Sequence, residues 1–118
     1  VGGIITADNI EKFNCRYIWG SANNQIKASD IDEEIRIAKL LQEAGIVFQT
    51  EWWHNTAGVM CAALEYMEGN KATYDQLVEI IDRTLPDSTL NNFAEAEAKG
   101  ITPTENAYLT CSRTLYEE

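Results

Sequence analysis

Between Cys15 and Gly58 the chain runs strand, polar loop, helix, strand, polar segment, and that order leaves few folds open. Cys15-Arg-Tyr-Ile-Trp19 suits a buried strand. It stops at Gly20 and gives way to Ser21-Ala-Asn-Asn-Gln25. A plain turn here would more often use Asn-Gly or Asp-Gly; this stretch offers backbone N–H groups, a hydroxyl and primary amides that can grip a ligand. Ser29 precedes Asp30-Ile-Asp-Glu-Glu34, an acidic first turn that matches the positive end of a helix dipole. Ile31, Ile35, Ala38, Leu41 and Gln42 then recur at steps of three and four, Leu40 and Ala44 widen the stripe, and Gly45 closes the helix. Ile46-Val-Phe-Gln-Thr50 follows at once as a second strand. A strand–helix–strand unit joins parallel neighbours by a right-handed crossover, so both strands end on the same edge of the sheet. Residues 20–25 and 51–58 are therefore predicted to meet at the edge where open α/β sheets bind ligands.

Each loop also has a plainer reading. Asn23 and Asn24 can cap the helix that follows them. Asn55 is the expected N-cap of the next helix, and Thr56-Ala-Gly58 has little side-chain bulk, which lets a ligand reach free backbone N–H groups or lets the helix pack closely on a strand. Val59, Ala62, Ala63, Tyr66 and Met67 carry that helix to a stop at Gly69-Asn70. Further stripes follow at Tyr74, Leu77, Val78, Ile81 and Leu85, an expected interruption at Pro86, then Leu90, Phe93, Ala94 and Ala96 up to Gly100. Thr102-Pro103-Thr104-Glu105 opens a last helix with buried positions at Ala107, Tyr108, Cys111 and Leu115. Ahead of the first strand, Thr6 stands as a cap for a helical turn or two through Ile10 and Phe13.

Composition narrows the function classes. The 118 residues, 45% apolar and 24% charged, fit one domain. A net charge of −10 argues against nucleic acid and anionic membrane surfaces as partners. The absence of a long apolar run or a basic leader points to a cytoplasmic chain. Cys15, Cys61 and Cys111 are odd in number and widely spaced, and His54 has no metal-ligand partner at a usual spacing, so structural thiols and no metal are expected. His54 lies between Trp53 and Asn55 with no charge partner in sequence, which suits packing or hydrogen bonding better than acid–base work. Val1-Gly-Gly-Ile-Ile5 has neither an initiator methionine nor a preceding element, the pattern of a truncated start.

Together the motifs resemble a known family. Gly20-Ser-Ala-Asn-Asn-Gln25, then Gly45-Ile-Val-Phe48 and Asn55-Thr-Ala-Gly-Val59, flanked by Gly2-Gly-Ile-Ile5 and Gly100-Ile-Thr-Pro103, are similar in order and spacing to the C-terminal part of the glutamate/leucine/phenylalanine/valine (amino acid) dehydrogenases. The branched-chain and aromatic subgroup fits best. The resemblance implies an α/β fold: the second half of a Rossmann-like dinucleotide-binding domain, a βαβ unit with parallel strands, in residues 1–54, followed by C-terminal helices in 55–118. It implies oxidative deamination of an aliphatic or aromatic L-amino acid with NAD or NADP. Ser21, Ala22 and Asn23 match positions beside the nicotinamide, Asn23 also matches the one that meets the substrate's amino group, and Asn55 matches an asparagine near the ring. Val1 and Gly2 match the end of a preceding cofactor-contacting strand, and Val59 and Ala62 match the substrate side-chain pocket.

Two departures stand out. The family's Asn-Ala-Gly-Gly is Asn55-Thr-Ala-Gly58 here, and its Pro-Asp is Thr50-Glu51, followed by Trp52-Trp53. The family's glycine-rich pyrophosphate loop and its catalytic lysine and aspartate fall upstream of Val1, so the 118 residues alone are not expected to turn over. The expected partners are the missing N-terminal part of the enzyme or a second copy of the chain, in a homo-oligomer. The alternative is a free-standing, non-catalytic binding or oligomerisation module, whose open sheet edge would have to be covered.

Overall fold

The computed structural model describes residues 2–116; Val1, expected beside the cofactor, lies outside them. Two short strands, β1 (Tyr17–Ile18) and β2 (Val47–Phe48), pair in parallel with Tyr17 opposite Val47 and Ile18 opposite Phe48. Helix α1 (Ile31–Glu43) connects them. A single-turn helix α2 (Glu51–His54) leaves β2, then α3 (Ala57–Glu68), the long α4 (Tyr74–Lys99) and α5 (Pro103–Tyr116) complete a mostly helical chain.

Both strands are shorter than the apolar runs that predict them. Cys15, Arg16 and Tyr17 are exposed, while Gln49 and Thr50 are wholly buried beyond the ladder. Ile5 makes one further parallel bridge, to Ile26. The core closes around these pieces: Ile5, Ile10, Ile26, Ile46 and Phe48 pack with Ile37, Ala38 and Leu41 of α1. The α1 stripe is thus turned from its expected position, with Ile37 buried and Ile31, Gln42 and Ala44 exposed. Asp30, rather than Ser29, caps α1 by accepting from the Glu33 N–H at 2.8 Å. Gly45 sits just past its end at φ +78°, where the Ile46 N–H returns to the Leu41 carbonyl at 2.9 Å. That left-handed conformation is the one glycine adopts without strain.

Three other expectations change. The short turn expected after Thr6 forms as a 3-10 turn, Ile10–Lys12, but Thr6 does not cap it: Asn9 stands at the cap position and its Oδ1 takes the Thr6 N–H at 2.9 Å. Helix α4 runs unbroken through Pro86, packed by α3 before the proline and by α2, through Trp53 Nε1 on the Ser88 carbonyl, and α5 after it, and opened by a capping box between Thr73 and Gln76. Tertiary packing here outweighs one lost hydrogen bond. The apolar stripe of α3 is not a buried face: Val59 is 72% exposed, Tyr66 93% and Met67 77%.

The α4–α5 pair is tied to the end of β2 by amides. Asn92 Nδ2 donates to the Pro103 carbonyl (3.0 Å) and to Gln49 Oε1 (3.3 Å), and Asn106 Nδ2 donates to Asn92 Oδ1 at 2.9 Å. Gln49, Asn92 and Asn106 are all buried. Thr102 Oγ1 caps α5 through the Glu105 N–H, and Gly100 at φ +69° ends α4.

Candidate functional site

The two polar segments do meet. Because β1 and β2 run parallel, residues 20–25 and 51–55 leave the sheet from the same edge, and the second segment grips the first at four points. The Asn24 N–H donates to Glu51 Oε1 at 2.5 Å. His54 Nε2 lies 3.0 Å from the Gly20 carbonyl, and Asn55 Nδ2 reaches both the Ser21 carbonyl (3.3 Å) and Asn23 Oδ1 (3.0 Å). Within the loop, Gln25 Nε2 donates back to the Gly20 carbonyl at 3.0 Å.

These contacts fix which atoms donate. A backbone carbonyl only accepts, so the Asn55 nitrogen must face Ser21 and its Oδ1 must face away. Asn23 then turns its oxygen to the same nitrogen. Among the described residues this leaves Asn55 Oδ1 and Asn23 Nδ2 without protein partners, on two exposed side chains. The same logic puts a hydrogen on His54 Nε2, and Nδ1 is buried with no partner among the described residues. His54 is therefore a packing and hydrogen-bonding residue, stacked on Trp19 at 5.3 Å, with Trp19 stacked in turn on Phe93 of α4 at 5.9 Å.

The segment before β1 backs the loop from its other side. The Gly3 N–H donates to the Asn24 carbonyl at 2.6 Å and the Ile5 N–H to the Gln25 carbonyl at 3.0 Å. A Cβ on Gly2 would stand 2.9 Å from the Asn23 carbonyl oxygen, so the close approach requires glycine. Asn24 itself sits at φ +52°, the left-handed region asparagine tolerates better than most residues.

Asn55 is not the expected helix cap. It closes the single turn of α2, donating its N–H to the Glu51 carbonyl at 2.8 Å, and α3 starts two residues later. Its amide is committed to the loop instead. Nor do Asn23 and Asn24 cap α1, which begins at Ile31. Ser21 and Ala22 stand in the loop beside Asn23, while Val59 and Ala62 lie on α3, one helical step apart and exposed. Glu51, Trp19 and Gln25 complete the arrangement, none of them given a site role from sequence.

The site is an open edge. A groove of about 370 Å³ between α1, β2, α4 and the start of α5 is lined by Phe48, Phe93 and Ile101 among others, and one of about 450 Å³ between α3 and α4 by Met60, Leu64 and Ile80. Neither includes a residue of 20–25 or 51–59. Among the described residues no group of His, Cys, Asp and Glu is placed to hold a metal, the cysteines are free, and no helix is long and apolar enough to cross a membrane.

A phenylalanine dehydrogenase of Lysinibacillus sphaericus is 31% identical over 115 residues, taking in 98% of this chain, and a leucine dehydrogenase of Thermoactinomyces intermedius is 28% identical over 128 residues, again 98% of the chain. Along nearly its whole length the chain is similar to leucine and phenylalanine dehydrogenases. A phenylalanine dehydrogenase of Thermoactinomyces intermedius is 33% identical over 91 residues, or 70% of the chain. The alignments take in 28%, 33% and 23% of these dehydrogenases, so the chain spans a third of their length or less. No protein-family model matches it.

Proposed function

We propose that this chain is the C-terminal, cofactor- and substrate-contacting portion of an NAD(P)-dependent amino acid dehydrogenase. The whole enzyme would oxidise an aliphatic or aromatic L-amino acid to the 2-oxo acid in the cytoplasm. In this reading residues 1–54 are the second half of a Rossmann-like domain and 55–118 a helical segment that leads away from it. The observation that carries the reading is the Asn23–Asn55 amide pair, anchored by Asn55 on the Ser21 carbonyl and left with one acceptor, Asn55 Oδ1, and one donor, Asn23 Nδ2, unpartnered among the described residues. That donor–acceptor pair is the complement of a primary carboxamide, the polar group of a nicotinamide.

Each residue then has a task. Asn55 Oδ1 accepts from the carboxamide N–H and Asn23 Nδ2 donates to its oxygen, fixing which face of the ring meets the substrate. The coenzyme, when bound, supplies the hydride acceptor. Asn23 Oδ1 has a second lone pair beyond the one Asn55 uses, and this orients the substrate's amino group. Ser21 and Ala22 flank the ring, Gly2 stands behind the loop, and Val59 and Ala62, small and apolar, leave room for a large substrate side chain. Proton transfer falls to a lysine and an aspartate contributed from outside this chain.

The exposed apolar face of α3 supports the partner side of the proposal. Val59, Tyr66 and Met67 present apolar surface that a stable assembly covers, through the rest of the enzyme or a second copy of the chain. The test is an assay of the whole natural protein with L-leucine, L-phenylalanine and other L-amino acids, each with NAD and NADP. Amino-acid-dependent appearance of reduced coenzyme with equimolar 2-oxo acid is the expected result. No turnover with any combination would contradict the proposal and favour the non-catalytic module.

A further inference from the structure

The Asn24 turn is held at both of its backbone groups. Gly3 donates to the Asn24 carbonyl, and the Asn24 N–H is taken by a side chain 27 positions away, that of Glu51. Glu51 is only 4% exposed, yet it has no ion-pair partner among the described residues. Burying a carboxylate is costly where a neutral side chain would serve. A hydrogen bond from N–H to carboxylate is about twice as strong as a neutral one, and here it restrains a left-handed residue that relaxes readily to other conformations. The residue so restrained adjoins Asn23. Glu51 also begins α2, whose last residue His54 and C-cap Asn55 hold Gly20, Ser21 and Asn23, so one turn of helix and its cap grip one side of the loop.

We infer that Glu51 is the positioning residue of this site: its buried carboxylate sets the turn at Asn24 and thereby the place of the Asn23 amide against coenzyme and substrate. The inference rests on the dehydrogenase reading above. It assigns Glu51 no contact with the reacting atoms. Its effect passes through the loop, so it appears in kcat/KM and in the motion of the Asn24 amide together.

The test compares the whole natural enzyme with its Glu51→Ala and Glu51→Gln variants by steady-state kinetics and by hydrogen exchange at the Asn24 amide. Loss of a hydrogen bond to a charged group predicts that Glu51→Ala lowers kcat/KM by about 10- to 100-fold and speeds Asn24 exchange by a similar factor. Glu51→Gln keeps an acceptor oxygen without the charge, so it falls between wild type and Ala in both readouts. If Ala fails to fold, Gln carries the test, with a loss of about 3- to 10-fold expected. A folded variant that loses thermal stability but keeps wild-type kcat, KM and Asn24 protection shows a merely structural glutamate and overturns the inference alone. A wild-type enzyme that oxidises no amino acid with either coenzyme overturns the dehydrogenase reading and this inference with it.

Discussion

Asn55 donates through Nδ2 to Asn23 Oδ1 at 3.0 Å, joining two loops that lie 32 positions apart in the chain. The same nitrogen holds the Ser21 carbonyl, so Asn55 orients Asn23 and the backbone before it at once. Replacement by aspartate is predicted to do more harm than replacement by alanine. A carboxylate cannot donate, and it would face two acceptors across about 3 Å. In the whole enzyme Asn55→Ala is expected to lower kcat/KM by about tenfold and Asn55→Asp by about 100-fold, read by steady-state kinetics with the coenzyme varied. Equal effects would show that Asn55 is not the donor in this pair.

Two glycines behave oppositely. A Cβ at Gly2 meets the Asn23 carbonyl at 2.9 Å, whereas one at Gly58 meets nothing within 4 Å. Gly2→Ala is expected to shift the loop and weaken coenzyme binding. Gly58→Ala sits in the first turn of α3 and is expected to stabilise folding by about 0.5–1 kcal/mol. Any loss of coenzyme affinity in that second variant then reports a ligand approaching the bare backbone. Binding titrations and thermal melts of both variants separate these effects.

The link between β2 and the α4–α5 pair is polar and buried, so it is sensitive to truncation. Asn92→Ala removes the donor for the Pro103 carbonyl and the acceptor for Asn106 while leaving Gln49 without its bond. The expected loss is about 1–3 kcal/mol in denaturant unfolding, since buried polar groups left unpaired cost their full desolvation. A change below about 0.5 kcal/mol would mean the network relaxes to new partners.

At alkaline pH the contact between α5 and α1 is the weak point. Tyr108 donates its hydroxyl hydrogen to Glu34 Oε2 at 2.7 Å. Burial, with the Glu34 carboxylate beside it, raises its pKa well above the ordinary value of 10.0. A raised value means the folded state holds this proton more tightly than the unfolded state. Its stabilisation is therefore complete below pH 10.0 and is lost as the pH climbs from there through the raised value. Denaturation midpoints measured from pH 8 to 11 should fall in wild type, and Tyr108→Phe should flatten that fall.

The meeting of the two loops was legible in sequence because it follows from topology alone: two strands joined by one amphipathic helix must end on one edge. Gly45 and Gly100 were legible too, since a left-handed residue after a helical stripe has few other causes. The use of Asn55 was not. Its type fits a cap and a cross-chain amide equally, and only the position of Ser21 decides between them. Glu51 was visible only as a departure from the family's Pro-Asp; its hold on the loop depends on a residue 27 positions away. Pro86 misled because propensity reports the isolated helix, whereas α4 is held by neighbours on either side of that proline. The exposure of Val59, Tyr66 and Met67 lay beyond sequence reading altogether, as periodicity gives a face but not what covers it.

The most direct test of the central claim is a crystal structure of the whole natural protein with NAD and a 2-oxo acid bound. The account predicts the nicotinamide carboxamide within about 3 Å of both Asn55 Oδ1 and Asn23 Nδ2, with the loop conformation unchanged. A nicotinamide seated away from both asparagines, for example in the groove beside Phe48 and Phe93, would contradict it.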